Sequence, residues 1–277
     1  MLATLLIVFR EVLEAGLIVG IVLAATKGVP ARGVWIAFGV LSGVAGSCIV
    51  ATFASEIGEL FQGSGQELFN AGVLIIAVAM LTWHNVWMAG HGREIAREMK
   101  RVGTEVASGE RPLLALAVVC SLAVLREGSE VVLFLYGVFA SDGTSLPEMI
   151  LGGALGIFAG AAISALLYFG LLAVPTSRLF SVTSGLITLL AAGLAAQAVA
   201  FLQQAGQIEV LSRTVWDTSW LLLEDSLLGR LLHTLIGYSD RPSAAQLIVY
   251  LLTVAMILTL MYSQGGPRSV KPEPRPS

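Results

Sequence analysis

Two short runs carry most of the chemistry in this sequence: Arg10-Glu11-Val12-Leu13-Glu14 and Arg126-Glu127-Gly128-Ser129-Glu130. In each, two glutamates stand three residues apart, so a helix presents both carboxylates on one face, about one turn apart. Four carboxylates brought close together repel one another, and Arg10 and Arg126 relieve part of that repulsion. The formal balance of the six groups stays negative, so a multivalent cation completes the set. An all-oxygen donor set suits a hard cation such as Fe3+, Mn2+ or Mg2+ better than Cu+ or Zn2+. The plainer alternative is a pair of Arg–Glu helix locks. Two copies, each with a second glutamate beyond what its arginine needs, favour the ion site at Glu11, Glu14, Glu127 and Glu130, with Arg10 and Arg126 supporting it.

These charges lie inside apolar runs. The 277-residue chain is 56% hydrophobic and only 13% charged, with mean hydropathy +0.84. That surplus has no place in one water-soluble core, and lipid is its natural solvent. Runs of spanning length fall at about 2–26, 34–54, 67–90, 113–139, 147–172, 179–203 and 243–263. The expected fold is therefore all-α: a polytopic membrane protein with seven transmembrane helices. The first run has no basic region before it and reads as a retained span, not a cleaved signal. At about 1.5 Å per residue, the motifs begin roughly 15 and 20 Å into spans 1 and 4, near the middle of a ~30 Å hydrocarbon core. Cys48 and Cys120 both sit in apolar runs, which argues against a structural disulfide or a zinc site. No nucleic-acid signature is present.

The two motifs align without a gap. Gly72, Leu81 and Val86 of span 3 also match Gly185, Leu194 and Val199 of span 6, setting His84 opposite Gln197. Three helices per repeat is an odd number, so the halves enter the membrane from opposite sides, as in many transporters. The expected organisation is one transmembrane permease domain over 1–263: repeat one 1–90, repeat two 113–203 and an extra span 243–263. A disordered cytoplasmic tail follows over 264–277. Lys and Arg concentrate in 27–33, 91–112, 173–178 and the tail, which puts the N-terminus outside and the C-terminus in the cytoplasm of a cell membrane. The outer loops are acidic. There Glu56 and Glu59 form a candidate access point for cations.

Other polar residues are secondary candidates. His84 lies toward the inner end of span 3 between Trp83 and Trp87, where interfacial anchoring competes with a role on the ion pathway. Gln197, Gln203 and Gln204 late in span 6 line a path or bridge helices. His91 reads as a loop residue. Trp216–Tyr238 reads as an amphipathic helix on the outer face, with His233 at its surface.

The twin motif in a seven-span chain resembles the Arg-Glu-Gly-Leu-Glu motifs of the oxidase-dependent iron permeases, the fungal high-affinity iron permease and its bacterial relatives. Phe201-Leu202-Gln203-Gln204-Ala205-Gly206, Trp216-Asp217-Thr218-Ser219, Gly237-Tyr238 and Pro242-Ser243 add to the likeness, which covers about 1–263. Val12 and Ser129 depart from the motif at uncharged positions. The resemblance implies import of ferric iron supplied by an extracytoplasmic ferroxidase or iron-delivery protein. It implies Glu11, Glu14, Glu127 and Glu130 as the iron-coordinating residues and no permanently bound cofactor. Some relatives carry other metals, lead among them. Two readings compete. In one, a proton-coupled exporter uses the glutamates as proton relays. The other is a membrane di-iron oxidase. It is disfavoured because both motifs end in Glu, and no His stands near either one.

Overall fold

The computed structural model describes residues 1–59, 66–142, 145–170, 176–224 and 226–265. Within them the chain is helical: α1 Leu2–Ala25, α2 Arg32–Glu59, α3 Gln66–Ala107, α4 Leu114–Asp142, α5 Leu146–Tyr168, α6 Thr176–Gln204, α7 Leu227–Ile236 and α8 Ala244–Gly265. By length and composition, five stretches can cross a membrane: Arg32–Phe53, Glu67–Met88, Leu146–Tyr168, Ser181–Gln204 and Ala244–Ser263. The 24 residues of α1 and 29 of α4 are also long enough, at about 1.5 Å per residue. Those two carry the motif charges in mid-helix. Large apolar side chains such as Phe38, Leu41, Phe158 and Leu252 point away from the protein, as lipid-facing residues do.

The helices pair in a definite order. The most extensive contacts join α2 to α4, α1 to α5 and α3 to α6, and α1 also crosses α4. Small residues every fourth position make the first two pairs close. Gly152, Gly156, Gly160 and Ser164 form a buried stripe along α5. A methyl group on Gly156 would lie 2.8 Å from the Leu5 carbonyl oxygen and 2.9 Å from Val8 Cβ. On α2, a methyl on Gly39 would lie 2.5 Å from the Ala117 carbonyl oxygen, and one on Gly43 would lie 2.8 Å from that of Ser121. With lipid outside no hydrophobic force drives these helices together, so close backbone approach and dispersion must hold them. On the other side of α1 and α4, residues Ile7, Leu74, Leu81, Phe134, Ile187 and Ile257 from α1, α3, α4, α6 and α8 pack into one core.

Three expectations are corrected. First, the segment 91–112 is not a loop through most of its length. α3 continues unbroken to Ala107, at 42 residues roughly twice what a ~30 Å core requires. Its polar extension is laced by side-chain pairs: Arg101 to Glu98 at 2.5 Å and to Glu105 at 3.8 Å, with Arg111 on Glu105 at 2.5 Å. His91 is therefore helical. Its ring stacks on Trp87, centroids 5.1 Å apart.

Second, the outer amphipathic helix is shorter than Trp216–Tyr238. Ser226 caps it by accepting from Gly229 N, and Gly237, at φ 68°, ends it in the left-handed region. Residues 216–224 form turns instead. Tyr238 donates to the Leu222 carbonyl and meets Thr218 Oγ1 at 2.8 Å, while Arg241 holds Asp217 at 3.1 Å. The segments around Trp216, Gly237 and Pro242 are thus tied into one knot. Hydrogen bonds from Ser219, then Arg241, hold the Asp217 carboxyl below its ordinary range, and His233 does the same for Glu224. His233 is part of this knot and only partly exposed, with Nδ1 3.1 Å from Glu224.

Third, α8 runs through the expected tail start to Gly265. The rest of that tail, 266–277, lies outside the described residues, as do the side chains of Glu56 and Glu59.

Gly156→Leu should force α5 off α1 and lower the thermal stability of the detergent-solubilised protein, with an overpacking cost of about 1–3 kcal/mol or more. Gly153→Ala, on the same helix with open space at its Cα, should leave the melting curve where it was. Equal melting temperatures for wild type and Gly156→Leu would refute the close-packing account.

Candidate metal centre

The two motifs meet where α1 crosses α4. Arg10 is 1% exposed and its Nε donates to Glu14 Oε1 at 2.8 Å. The equivalent pair on α4 is Arg126 Nε to Glu130 Oε1 at 3.2 Å, with Glu127 Oε1 3.9 Å from the same nitrogen. Glu11, Glu14 and Glu127 are all buried. Both oxygens of Glu11, Oε2 of Glu14 and Oε2 of Glu127 lack a hydrogen-bond partner. Buried carboxylate oxygens without donors are costly, and a site that leaves several of them converging is shaped for a cation.

α3 adds a residue whose position differs from the sequence expectation. His84 lies four residues before the end of the apolar stretch Glu67–Met88, but it faces the protein interior and not a boundary with water. It is 3% exposed and lies between the two motifs. Its Nδ1 is against the Glu130 carboxylate of α4, and its Nε2 lies 3.5 Å from Glu14 Oε2 and 3.8 Å from Glu11 Oε2 on α1. One donor atom from each of Glu11, His84, Glu127 and Glu130 can be chosen so that all lie within 4.8 Å of one another. The neighbouring Asn85 fixes the rotation of α3, donating to Thr188 Oγ1 at 3.0 Å and the Ser184 carbonyl at 3.1 Å on α6. Trp83, the residue before His84, points the other way and is 73% exposed. Thus a histidine does stand near both motifs in space, though none does along the chain.

The remaining candidates separate. Gln203 accepts from Ser243 Oγ at 3.0 Å and bridges α6 to the start of α8. Gln204 is exposed and Gln197 half-buried on α6. Trp87 was not singled out for the site, yet its ring lies under the Arg126 guanidinium, 4.3 Å from its centroid. The signal was available: His84, Trp87 and His91 recur at helical spacing on one face. The two arginines consequently differ, since Arg126 keeps 39% exposure where Arg10 is sealed. On the side of α1 and α4 away from α3, a cavity of about 770 Å3 reaches Glu11 and Glu127. Val12, Ala15, Gly16, Val44 and Val131 give it an apolar wall, with Cys48 beside them.

With this geometry in view, the family comparison is decisive. Residues 1–270 match the model of the Iron permease FTR1 family. The chain belongs to that family. The ferrous iron permease EfeU of Escherichia coli O6:K15:H31 (strain 536 / UPEC) is 34% identical over 279 residues, covering 98% of this chain and all of the relative. That of Shigella sonnei (strain Ss046) is 34% identical over 254 residues, 90% and 91% of the two chains. That of Yersinia pestis is 30% identical over 271 residues, 95% and 93%. No solved structure matches. Members of this family are transporters, not enzymes, which disposes of the oxidase reading on firmer ground than the missing histidine did. Iron is the substrate the family carries, and the membrane-spanning helices agree with it.

The unequal arginines give a test. Arg10→Lys should be the more damaging substitution, because the compact, strongly hydrated ammonium of lysine is harder to seat in a sealed site and lacks the Nε that bonds Glu14. The variant should lose most folded protein or most uptake. Arg126→Lys, half-exposed over Trp87, should retain more of both. Equal losses in a parallel thermal-melt and uptake measurement would show that the burial difference carries no weight.

Proposed function

We propose that this chain imports iron across a cytoplasmic membrane, through a single site formed by Glu11, Glu14, Glu127 and Glu130 with Arg10 and Arg126 as counter-ions. The observation that carries the reading is the set of buried, partly unpartnered carboxylate oxygens where α1 crosses α4. Ionised side chains at that depth persist only when paired or when they serve an ion pathway.

The organisation expected from the sequence is part of the proposal. α1 and α4 join the five apolar helices as spans, making seven, and α1–α3 and α4–α6 form inverted repeats within a domain over 1–263. The helix pairing supports this. Exchanging α1 with α4, α2 with α5 and α3 with α6 turns the α2–α4 contact into α5–α1 and leaves α3–α6 and α1–α4 in place. The N-terminus is outside and the C-terminal tail cytoplasmic, from the distribution of Lys and Arg. Glu56 and Glu59 remain a proposed outer access point.

The oxidation state needs an argument of its own. The motif resemblance implies ferric iron delivered by a ferroxidase, whereas the relatives above are named ferrous iron permeases. Four carboxylates against two guanidiniums leave a formal charge of about −2, which a divalent ion neutralises and a trivalent ion overshoots. That balance favours Fe2+ as the bound form, with an external oxidase or delivery protein outside the transport step itself. A membrane potential, negative inside, assists a divalent ion by about 5 kcal/mol per 100 mV.

Radioactive iron uptake into proteoliposomes tests the site. Glu11→Gln, Glu14→Gln, Glu127→Gln and Glu130→Gln should each cut uptake at least tenfold while the protein still inserts. Ferrous iron kept reduced by ascorbate should be taken up without any oxidase. Variants that insert and transport at the wild-type rate would reduce the motifs to helix locks. Uptake only after oxidation would restore the ferric reading.

Orientation has a separate test. A reporter fused after Ser277 should be active only if it is a cytoplasmic type. Activity of a periplasmic reporter there would overturn both the direction and the inverted repeat.

A further inference from the structure

We propose that His84 is itself a ligand of the transported ion, through Nε2, and that it gives the site its preference for a first-row transition ion such as Fe2+ over Mg2+ and Ca2+. This rests on the carboxylate site proposed above.

The imidazole spans the two motifs. Its Nδ1 meets Glu130 of α4, which orients the ring and leaves Nε2 facing α1. A carboxylate behind the far nitrogen is the common way of aiming a metal-binding histidine. Nε2 is 3.5 Å from Glu14 Oε2 and 3.8 Å from Glu11 Oε2. Both distances exceed a good hydrogen bond. Neighbouring donors around an ion with bonds of about 2.1 Å stand roughly 3.0–3.4 Å apart, so the 3.5 Å separation is close to that spacing and the 3.8 Å one a little beyond it. Nε2, Glu14 Oε2 and both Glu11 oxygens also lack hydrogen-bond partners although their residues are buried.

The chemical consequence is selectivity. Carboxylates alone accept Mg2+ and Ca2+ readily, whereas imidazole nitrogen suits iron and its neighbours. Mg2+ also sheds water reluctantly and demands a near-octahedral oxygen shell. One nitrogen among the carboxylates therefore disfavours the two divalent ions that compete most abundantly. It also moves the site from the all-oxygen set preferred by a trivalent ion toward one suited to the ferrous state.

The purified full-length protein can be loaded with Mn2+ as a paramagnetic probe displaceable by Fe2+, and its electron spin echo modulation recorded. Wild type should show coupling to one imidazole nitrogen. His84→Gln should abolish that coupling, weaken Fe2+ uptake about tenfold or more, and make uptake sensitive to Mg2+ and Ca2+. His84→Glu should recover ion binding without the discrimination. Absence of nitrogen coupling in wild type overturns the proposal without any variant. So does a His84→Gln protein with unchanged coupling, or with unchanged uptake and unchanged indifference to Mg2+. Glu11→Gln, measured alongside, separates the two levels. If it loses uptake while His84→Gln does not, only the histidine's role falls. If it binds and transports normally, the carboxylate site falls first.

Discussion

Charged groups buried where two helices cross constrain the rest of this molecule. A carboxylate or guanidinium there costs several kcal/mol unless its field is answered nearby. Six such groups occupy α1 and α4, and each of the two helices must turn its charged face to the other or to α3. That requirement explains why α1 and α4 cross at their motifs and why Arg10 lies across Glu14. It also explains the placing of the adjacent polar residues His84 and Asn85 in α3, with one side chain on the charges and the other on α6.

A crossing of that kind needs supports with little bulk. α5 lies along α1, and α2 along α4, on glycine stripes that bring backbone to backbone. The stripes answer a packing need of the bilayer, where apolar bulk gains nothing over lipid and contact area between helices is the available attraction. They also keep the two outer helices apart, since α2 and α5 share no contact among the described residues. The cavity against Glu11 and Glu127 lies between them.

The motifs were legible because charge inside an apolar run is expensive, and repetition made coincidence implausible. The positions of five spans were legible for the same reason in reverse. What failed was whatever hydropathy does not encode. α3 leaves the apolar phase near residue 90 but keeps a helical pattern of Glu, Arg, Lys and Ala, so the water-facing part continues as helix on its own ion pairs. The amphipathic spacing of Leu227 to Ile236 suggested a helix reaching back to Trp216. The backbone of Thr218 and Leu222 is instead claimed by Asp240 and Tyr238 from later in the chain. His84 was weighed against its neighbours in sequence, both tryptophans. Its true neighbours come from α1 and α4, and only the tertiary fold supplies them.

The inequality of the two arginines bears on how such a site could work. Arg10 and Arg126 occupy matching motif positions, carry the same charge and hold matching glutamates. One is sealed, and the other is half-exposed over Trp87. Composition cannot account for the difference, because the residues are identical; the packing around them must. Arg10 lies three residues along α1 from Ile7, which belongs to the buried core with Leu74 and Phe134. Beside Arg126, the contact is a single aromatic face, itself stacked on His91. The two guanidiniums therefore hold their glutamates in unlike surroundings, one closed off within the protein and one partly open at its surface.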